Sequence, residues 1–486
     1  MLLRLTLLSF LAVVSAQAAK PNILMICVDD LKPNLGCYGD PVAQTPNIDR
    51  LAKRGVLFEK AFCNQAVCSP SRNTLMTGLR PQTLGIYDLG THFRKAVPDA
   101  VTLTQHFMQN GYSAEGMGKI LHVGHGNIDD KASWSKPFFR PKAPSYVLKE
   151  STEVTRDAKT GGARGKSTEM ADVDDLTYAD GLIGQEAAKR LKEHAVKPDQ
   201  PFFLAVGFLK PHLPFVAPKK YWDLYDPAKL PMPEIKVPPI GAPEFAPQFG
   251  GELRQYSDMP LVGPIDDTMT RELIHGYYAA TSYMDAQLGV VLDALDASGL
   301  AENTIIILWG DHGWHLGDHS MWCKHTNYEQ AARIPVIVVA PGGATHVKTT
   351  SLIETVDIYP TLSELAGLPA REGLEGKSFA SVVKDPTKKI HDSIIHVYPR
   401  NQLLGRAIRT DRYRLVEWKQ PGKSEIAGME LYDYQTDPLE TKNLAEEQPE
   451  VVKELQAILA THPEAKPQIK AGSAKGAGKP KKKKKK

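Results

Sequence analysis

The sequence predicts an α/β fold: a large mixed, mostly parallel central sheet sandwiched by helices, with a smaller C-terminal subdomain of antiparallel sheet plus helix. Three observations predict it. Four almost unbroken apolar runs have strand length, as strands buried on both faces do. Helical stretches lie between them. From about Ser378 the pattern changes to shorter segments that read as exposed-edge strands and turns.

Taken in order, residues 22–28 (NILMICV) form the first buried strand and end in Asp29-Asp30. Residues 45–54 read as a helix. Residues 202–209 (FFLAVGFL) form a second buried strand, ending in Lys210-Pro211-His212. A long helix is expected over 267–296. Residues 304–309 (TIIILW) form a third strand, ending in Gly310-Asp311-His312-Gly313, and 334–340 (IPVIVVA) a fourth. A helix follows over 354–366. In such sheets ligands collect outside the carboxyl ends of the strands. Three of the four ends carry Asp or His, so one shared site is expected. Two long segments, 124–177 and 231–264, read as loops that rim a site or stay disordered. The first is polar and basic and contains Trp134, Phe138, Phe139 and Arg140. Beyond 378, residues 393–398, 406–409 and 413–418 read as strands, with Thr410-Asp411-Arg412 as a turn and 451–461 as a helix.

The N-terminus has the layout of a secretory signal peptide over residues 1–18. Arg4 is the positive region, a short apolar stretch follows, and Ala16-Gln17-Ala18 is a small-x-small cleavage site. The apolar stretch is too short to span a bilayer. Export to the periplasm or outside is therefore expected, with no transmembrane segment. Five cysteines in an exported chain leave at least one unpaired, and the lack of a C-x-x-C pair argues against a zinc site of that type. The expected organisation is signal peptide 1–18, catalytic α/β domain 19–377, subdomain 378–464 and tail 465–486.

The net charge of +3 in 486 residues is unevenly spread. Ten lysines and no acid lie between 465 and 486; without them and Arg4, 48 basic residues face 56 acidic ones. An acidic body is the opposite of what a nucleic-acid-binding domain shows, so no nucleic-acid partner is expected. The tail lacks the apolar surface needed to fold, and reads as a solvated end or as a tether to anionic polysaccharide or the cell envelope.

The decisive segment is Ala66-Val67-Cys68-Ser69-Pro70-Ser71-Arg72-Asn73-Thr74-Leu75-Met76-Thr77-Gly78. It places a cysteine at a helix start, with Pro70 suited to a first turn. The helix N-terminus and Arg72 are expected to lower the thiol pKa. A thiol nucleophile and a buried inert cysteine are both open on these residues alone.

The run C-x-P-x-R followed by Leu75-Met76-Thr77-Gly78 resembles the signature of type I sulfatases, in the alkaline-phosphatase superfamily, and further elements resemble their iduronate-2-sulfatase-like group. The resemblance implies that a maturation enzyme oxidises Cys68 to formylglycine. One hydroxyl of the hydrated aldehyde would attack the sulfur of a sulfate ester, and the second would later expel sulfate. Asp29, Asp30, Cys68, Asp311 and His312 would ligate one divalent cation, Ca²⁺ with Mg²⁺ as the alternative, acting as Lewis acid. Many sulfatases have Asn where His312 stands. Gly111-Tyr112-Ser113 with Gly118-Lys119 and His122 resembles the second sulfatase signature; Lys119 would bind sulfate and His122 would be the base for elimination. Lys210-Pro211-His212-Leu213-Pro214-Phe215 resembles an element in which His212 protonates the leaving alcohol. Gly313-Trp314-His315-Leu316-Gly317-Asp318-His319 with Lys324-His325 resembles another, in which Lys324 would clamp the sulfate and Trp314 and His315 would meet the substrate. Arg72 would orient the nucleophile.

The implied activity is hydrolysis of a sulfate ester on a carbohydrate: a sulfated polysaccharide or a glycosaminoglycan-type oligosaccharide, with 2-O-sulfated uronic acid as the analogy. The alternatives are a phosphate or phosphonate ester hydrolase of the same superfamily and an inactive glycan-binding protein.

Overall fold

The structure, a computed structural model, describes residues 20–152 and 164–469. The expected signal peptide and the lysine run from 470 onward lie outside the described residues. Among the described residues no helix is long and apolar enough to cross a membrane.

The central sheet has eight strands. Its path runs Val347–Thr349, Val56–Phe62, Arg333–Val339, Thr304–Gly310, Asn22–Val28, Phe202–Phe208, Ser113–Gly118, with Ile353–Glu354 pairing beside Val56–Phe62. All pairings are parallel except those of Arg333–Val339, which runs antiparallel to both neighbours. Each apolar run is continuous because both faces are covered. Ile23, Met25 and Cys27 enter one core cluster, and Leu24, Ile26 and Val28 the other.

Two features of this frame set up the site. The long helix Asp267–Ala297 starts at Asp266, whose carboxylate accepts the Met269 N–H (2.8 Å). From it Tyr277 accepts the Lys32 N–H (3.0 Å) and donates to the Asp30 carbonyl (2.8 Å), fixing Asp30 in a left-handed conformation at φ 59°. Gly118 and Gly207 lie opposite each other, and a Cβ on Gly207 would fall 2.3 Å from the Lys119 carbonyl oxygen. Only glycine permits that approach, which brings Lys119 in beside the Phe202–Phe208 strand.

The C-terminal sheet is an antiparallel meander of Ser393–Arg400, Leu403–Thr410, Tyr413–Lys419 and Ile426–Asp433. The last strand was not expected as one. The helix Pro449–Leu459 buries Leu455 and Leu459 against Ile395, Ile408, Leu415 and Leu431. The tail boundary at 465 is corrected. Ala465 is buried with Tyr87, Val397 and Leu404, the Lys466 N–H donates to the Gln82 carbonyl (3.0 Å), and the Ile469 N–H donates to the Gly85 carbonyl (2.8 Å). Ala465 supplies the apolar contact, and the two backbone hydrogen bonds hold the segment to residues 82–85.

Candidate active site

Strand register brings the predicted residues together. Val28 lies opposite Gly310 and Phe208, and Gly118 opposite Gly207. Asp29-Asp30, Asp311-His312, Lys119 and the segment leading to His212 therefore leave the sheet at one edge. Neighbouring strands are ~4.8 Å apart, so these side chains converge without a long reach.

Cys68 opens the helix Cys68–Thr77, every residue of which is buried. Gly78 closes it at φ 68°, donating to the Thr74 carbonyl (2.9 Å). The Ser71 hydroxyl donates to the Asp311 carbonyl, tying helix to strand end. The Cys68 Sγ stands 3.3 Å from His312 Nε2 and 3.9 Å from Asp30 Oδ1. The expectation of a lowered thiol pKa is corrected: burial pushes it up, and Asp29 adds to the rise. Arg72 is already spent. Its Nε donates to Asp311 Oδ2 (2.9 Å), Nη2 to Asp29 Oδ1 (3.0 Å), and Nη1 to the Lys119 and Ile120 carbonyls. Burial works against its charge, but Asp311 and Asp29 outweigh that and hold its pKa above the ordinary value. The site does not favour a thiolate, and none of the five cysteines is paired in a disulfide.

Lys119 Nζ pairs with Asp29 Oδ2. Burial opposes the Asp29 charge, yet Lys119, His212 and Arg72 hold its pKa well below the carboxylate range. Lys324 Nζ reaches both Asp30 oxygens at 3.1 Å and Glu252 Oε2 at 2.8 Å, and sits 5.0 Å above the Trp314 ring.

The donor set fits a divalent cation. Ligand atoms of Asp29, Cys68, Asp311 and His312 lie within 4.8 Å of one another, and Asp30 joins an overlapping set with Asp29, Cys68 and His212. His312 Nδ1 faces the Gly313 carbonyl at 3.0 Å, so that nitrogen carries the proton and Nε2 turns its lone pair to the cluster. Burial pushes Asp30 up to about 7, with Asp29 adding to the rise and Lys324 opposing it. A buried carboxylate short of positive charge is what a bound cation relieves. A third grouping, Glu354, Asp357 and His391, does not fit a metal. Its carboxylates already accept from Arg80, Asn64, His391 and the Ile395, Glu354 and Lys377 N–H groups.

His122 is buried, and its Nδ1 has no partner among the described residues; Nε2 lies 3.3 Å from His125 Nδ1. Burial, then Lys119, lowers its pKa to about 3, so it is neutral at working pH. The unfolded chain takes up that proton near pH 6.5. Stability is therefore expected to fall as pH drops from about 6.5 toward 3, where only the unfolded state is protonated. Urea midpoints at pH 7.5 and 5 should show the decline, and His122→Gln should show less of it.

His212 Nε2 lies 3.3 Å from Glu252 Oε1 and 3.9 Å from Asp30 Oδ2, and Nδ1 is 2.6 Å from the Leu213 carbonyl. Glu252 is the residue the sequence reading missed. It lies in the Pro- and Gly-rich 231–264 loop, where no motif distinguishes it, and it bridges His212 and Lys324. Burial opposes its charge, but Lys324 and His212 hold its pKa well below the usual range. Glu252→Gln should lower kcat/KM about tenfold, since the buried Lys324 ammonium loses a charged partner. Glu252→Asp should recover part of it, measured on an aryl sulfate.

Trp314 and His315 are corrected. Trp314 is 1% exposed and packs on Phe215. His315 is fully buried, with Nδ1 against Asp318 and Nε2 2.8 Å from Thr326 Oγ1. Neither side chain lines the cavity beside Lys119 and His212, and Trp314 lies under the Lys324 ammonium. Asp29, Lys119, His122 and His212 face a cavity of about 450 Å³.

The family model for sulfatases matches residues 21–368, and the model for the C-terminal part of N-sulphoglucosamine sulphohydrolase matches 317–465. The chain is 33% identical to iduronate 2-sulfatase of Mus musculus, covering 87% of this chain and 90% of the relative. In fold it is similar to the phosphonate monoester hydrolase of Agrobacterium radiobacter (TM-score 0.74, 22% identity, 91% of this chain and 96% of that one). It is also similar to a 2-O GAG sulfatase (TM-score 0.67, 22% identity, 91% of each chain).

Proposed function

The chain belongs to the sulfatase family and is a sulfuric ester hydrolase, and from that premise we propose that it is exported and removes sulfate from an acidic, glycosaminoglycan-type carbohydrate, using Cys68 matured to formylglycine. The observation that carries the reading is the position of Cys68. It stands at the buried start of a helix, 3.3 Å from His312 Nε2, at the edge where Asp29, Asp30 and Asp311 converge. The likeness to iduronate 2-sulfatase supports the choice of substrate class.

Asp29, Asp30, Asp311, His312 and residue 68 would hold a divalent cation, which supplies Lewis acidity toward a sulfate oxygen. Formylglycine supplies a nucleophilic hydroxyl and a second hydroxyl for release. The chain's own residues do the rest. The carboxylates of Asp29, Asp30, Asp311 and Glu252 face the cations Arg72, Lys119 and Lys324. With a divalent cation added, the site is net positive, which suits the negative charge of a sulfate monoester. Lys119 and Lys324 clamp the sulfate from two sides, and Arg72 locks Asp29 and Asp311 in place. His212 Nε2 gives its proton to the leaving alcohol, with Glu252 orienting the ring. The unpartnered Nδ1 of His122 takes the proton whose loss expels sulfate.

The test is sulfate release from a panel of defined sulfated oligosaccharides by ion chromatography. Release from 2-O-sulfated uronates supports the reading, and turnover of aryl phosphate or phosphonate in preference to every sulfate ester would sink it.

The lysine-rich end supports a second part of the reading, retention on sulfated polysaccharide. Residues 465–469 pack against 82–88, so truncation belongs after Ile469. The truncated protein should elute from a sulfated-glycan column at lower salt, and an unchanged elution would count against the tether.

A further inference from the structure

We propose that Arg140 forms a second anion subsite, which holds an acidic group on the sugar beside the sulfate being removed and selects for doubly anionic substrates. The inference rests on the sulfatase reading and names what that site prefers. Arg140 comes from the polar loop whose role the catalytic scheme leaves open. Phe139 pairs in parallel with Met117: its N–H donates to the Gly116 carbonyl (3.0 Å), and its carbonyl accepts the Gly118 N–H (2.9 Å). The loop thus adds a short ninth line to the sheet edge. Arg140 follows Phe139 as Gly118 follows Met117, so its backbone lies ~5 Å from that of Gly118, next to Lys119.

Arg140 shares the 450 Å³ cavity with Asp29, Lys119, His122 and His212. The other charged groups facing that cavity are committed. Lys119 pairs with Asp29. Lys210 Nζ donates to the His212 (3.0 Å) and Pro214 (2.6 Å) carbonyls. Asp180 accepts the Leu209 (2.8 Å) and Lys210 (2.9 Å) N–H groups. Arg140 differs. Its side chain is 43% exposed, and its ion pair with Asp129 is long, at 3.4 Å. Such exposed pairs contribute little and yield to a ligand. The guanidinium stacks over the Phe138 ring at 4.8 Å, which fixes it on the cavity wall that Arg140 helps to line. A planar fork so placed suits a carboxylate or a second sulfate in bidentate contact. Glu252, held against His212, repels an acidic group there, so the sugar's second anion turns to the Arg140 side.

The experiment compares the matured, cation-loaded wild type with Arg140→Gln and Arg140→Lys. Substrates are a 2-O-sulfated uronate disaccharide, its carboxyl-reduced counterpart, an N,6-O-disulfated glucosamine and an aryl sulfate. The wild type should prefer the uronate to its reduced form, and Arg140→Gln should cut that kcat/KM ratio about tenfold, with Arg140→Lys in between. A loss relative to aryl sulfate confined to the uronate disaccharide, or confined to the disulfated glucosamine, identifies which anion the subsite takes. Equal losses on all four substrates, or an unchanged ratio, would overturn the proposal. Binding of the same disaccharides to the Cys68→Ala protein by calorimetry gives the second readout, with the same ratio expected. Aryl sulfate turnover by the wild type checks the sulfatase reading separately.

Discussion

Replacing Cys68 by alanine should abolish sulfate release, with kcat lower by about 10⁴-fold or more, and leave the fold intact. The side chain lost is one sulfur in a fully packed helix, so circular dichroism and the thermal midpoint should move little. The chemical loss is complete because its carboxylate neighbours Asp29, Asp311 and Asp30 are already paired with Arg72 and Lys324. Cys68→Ser separates the two roles expected of residue 68. A serine hydroxyl can displace the alcohol and take the sulfuryl group, the alcohol leaving with the proton from His212. Having no second hydroxyl, it cannot expel sulfate again. Mass spectrometry of the peptide should then show a sulfate adduct on the introduced serine and no steady turnover. The same peptide from active wild type should carry formylglycine. A fully alkylatable thiol in a fully active sample would disprove the maturation.

Asp311→Asn should be the second most damaging change, lowering kcat/KM on the order of 10³-fold. Asp311 Oδ2 accepts from Arg72 Nε (2.9 Å), Oδ1 accepts the Asp30 N–H (3.0 Å), and Oδ1 stands 3.6 Å from His312 Nε2. One carboxylate thus holds the arginine, the left-handed Asp30 backbone and one corner of the ligand set. The asparagine has one acceptor oxygen for these partners, so either Arg72 or the Asp30 N–H is left facing an amide donor, buried. Breaking a buried charge pair this way costs about 3–5 kcal/mol. Calorimetry separates the stability loss from the metal loss. At about 100 times its dissociation constant, Ca²⁺ should stabilise the wild type by ~2.7 kcal/mol, about 3 °C in a chain of this length. The variant should gain none. A full calcium shift in Asp311→Asn would remove Asp311 from the ligand set.

Much of the site was legible before the structure because chemistry and period coincide in this chain. Residues 23–28 and 305–309 are apolar without interruption, and each run is followed by acids at the carboxyl edge, so strand and acid cluster announce each other. The C-x-P-x-R run and its neighbours gave Cys68 and Arg72 their roles by resemblance. The strand Ser113–Gly118 was less legible: SAEGMG is too rich in small residues to read as a strand, Gly118 being there for the approach to Gly207 and Gly116 for the Phe138 and Trp134 rings. The strand Ile426–Asp433 was missed because its first half is exposed and lacks alternation. Trp314 and His315 follow Asp311-His312 in sequence, yet their side chains are buried away from the cavity.

The sequence by itself determined the fold class, the C-x-P-x-R motif and the acids at the strand ends, since each is written locally in period, composition or spacing. Only the tertiary structure decided what each charge is paired with. It placed Glu252 between Lys324 and His212 from a loop without a motif, turned Arg72 from thiol activator into clamp for Asp29 and Asp311, left His122 neutral, and put Arg140 beside Lys119. Pairing, burial and hence protonation depend on distances across the sheet edge and between distant loops, and a linear sequence carries no record of those distances until the strands are in register.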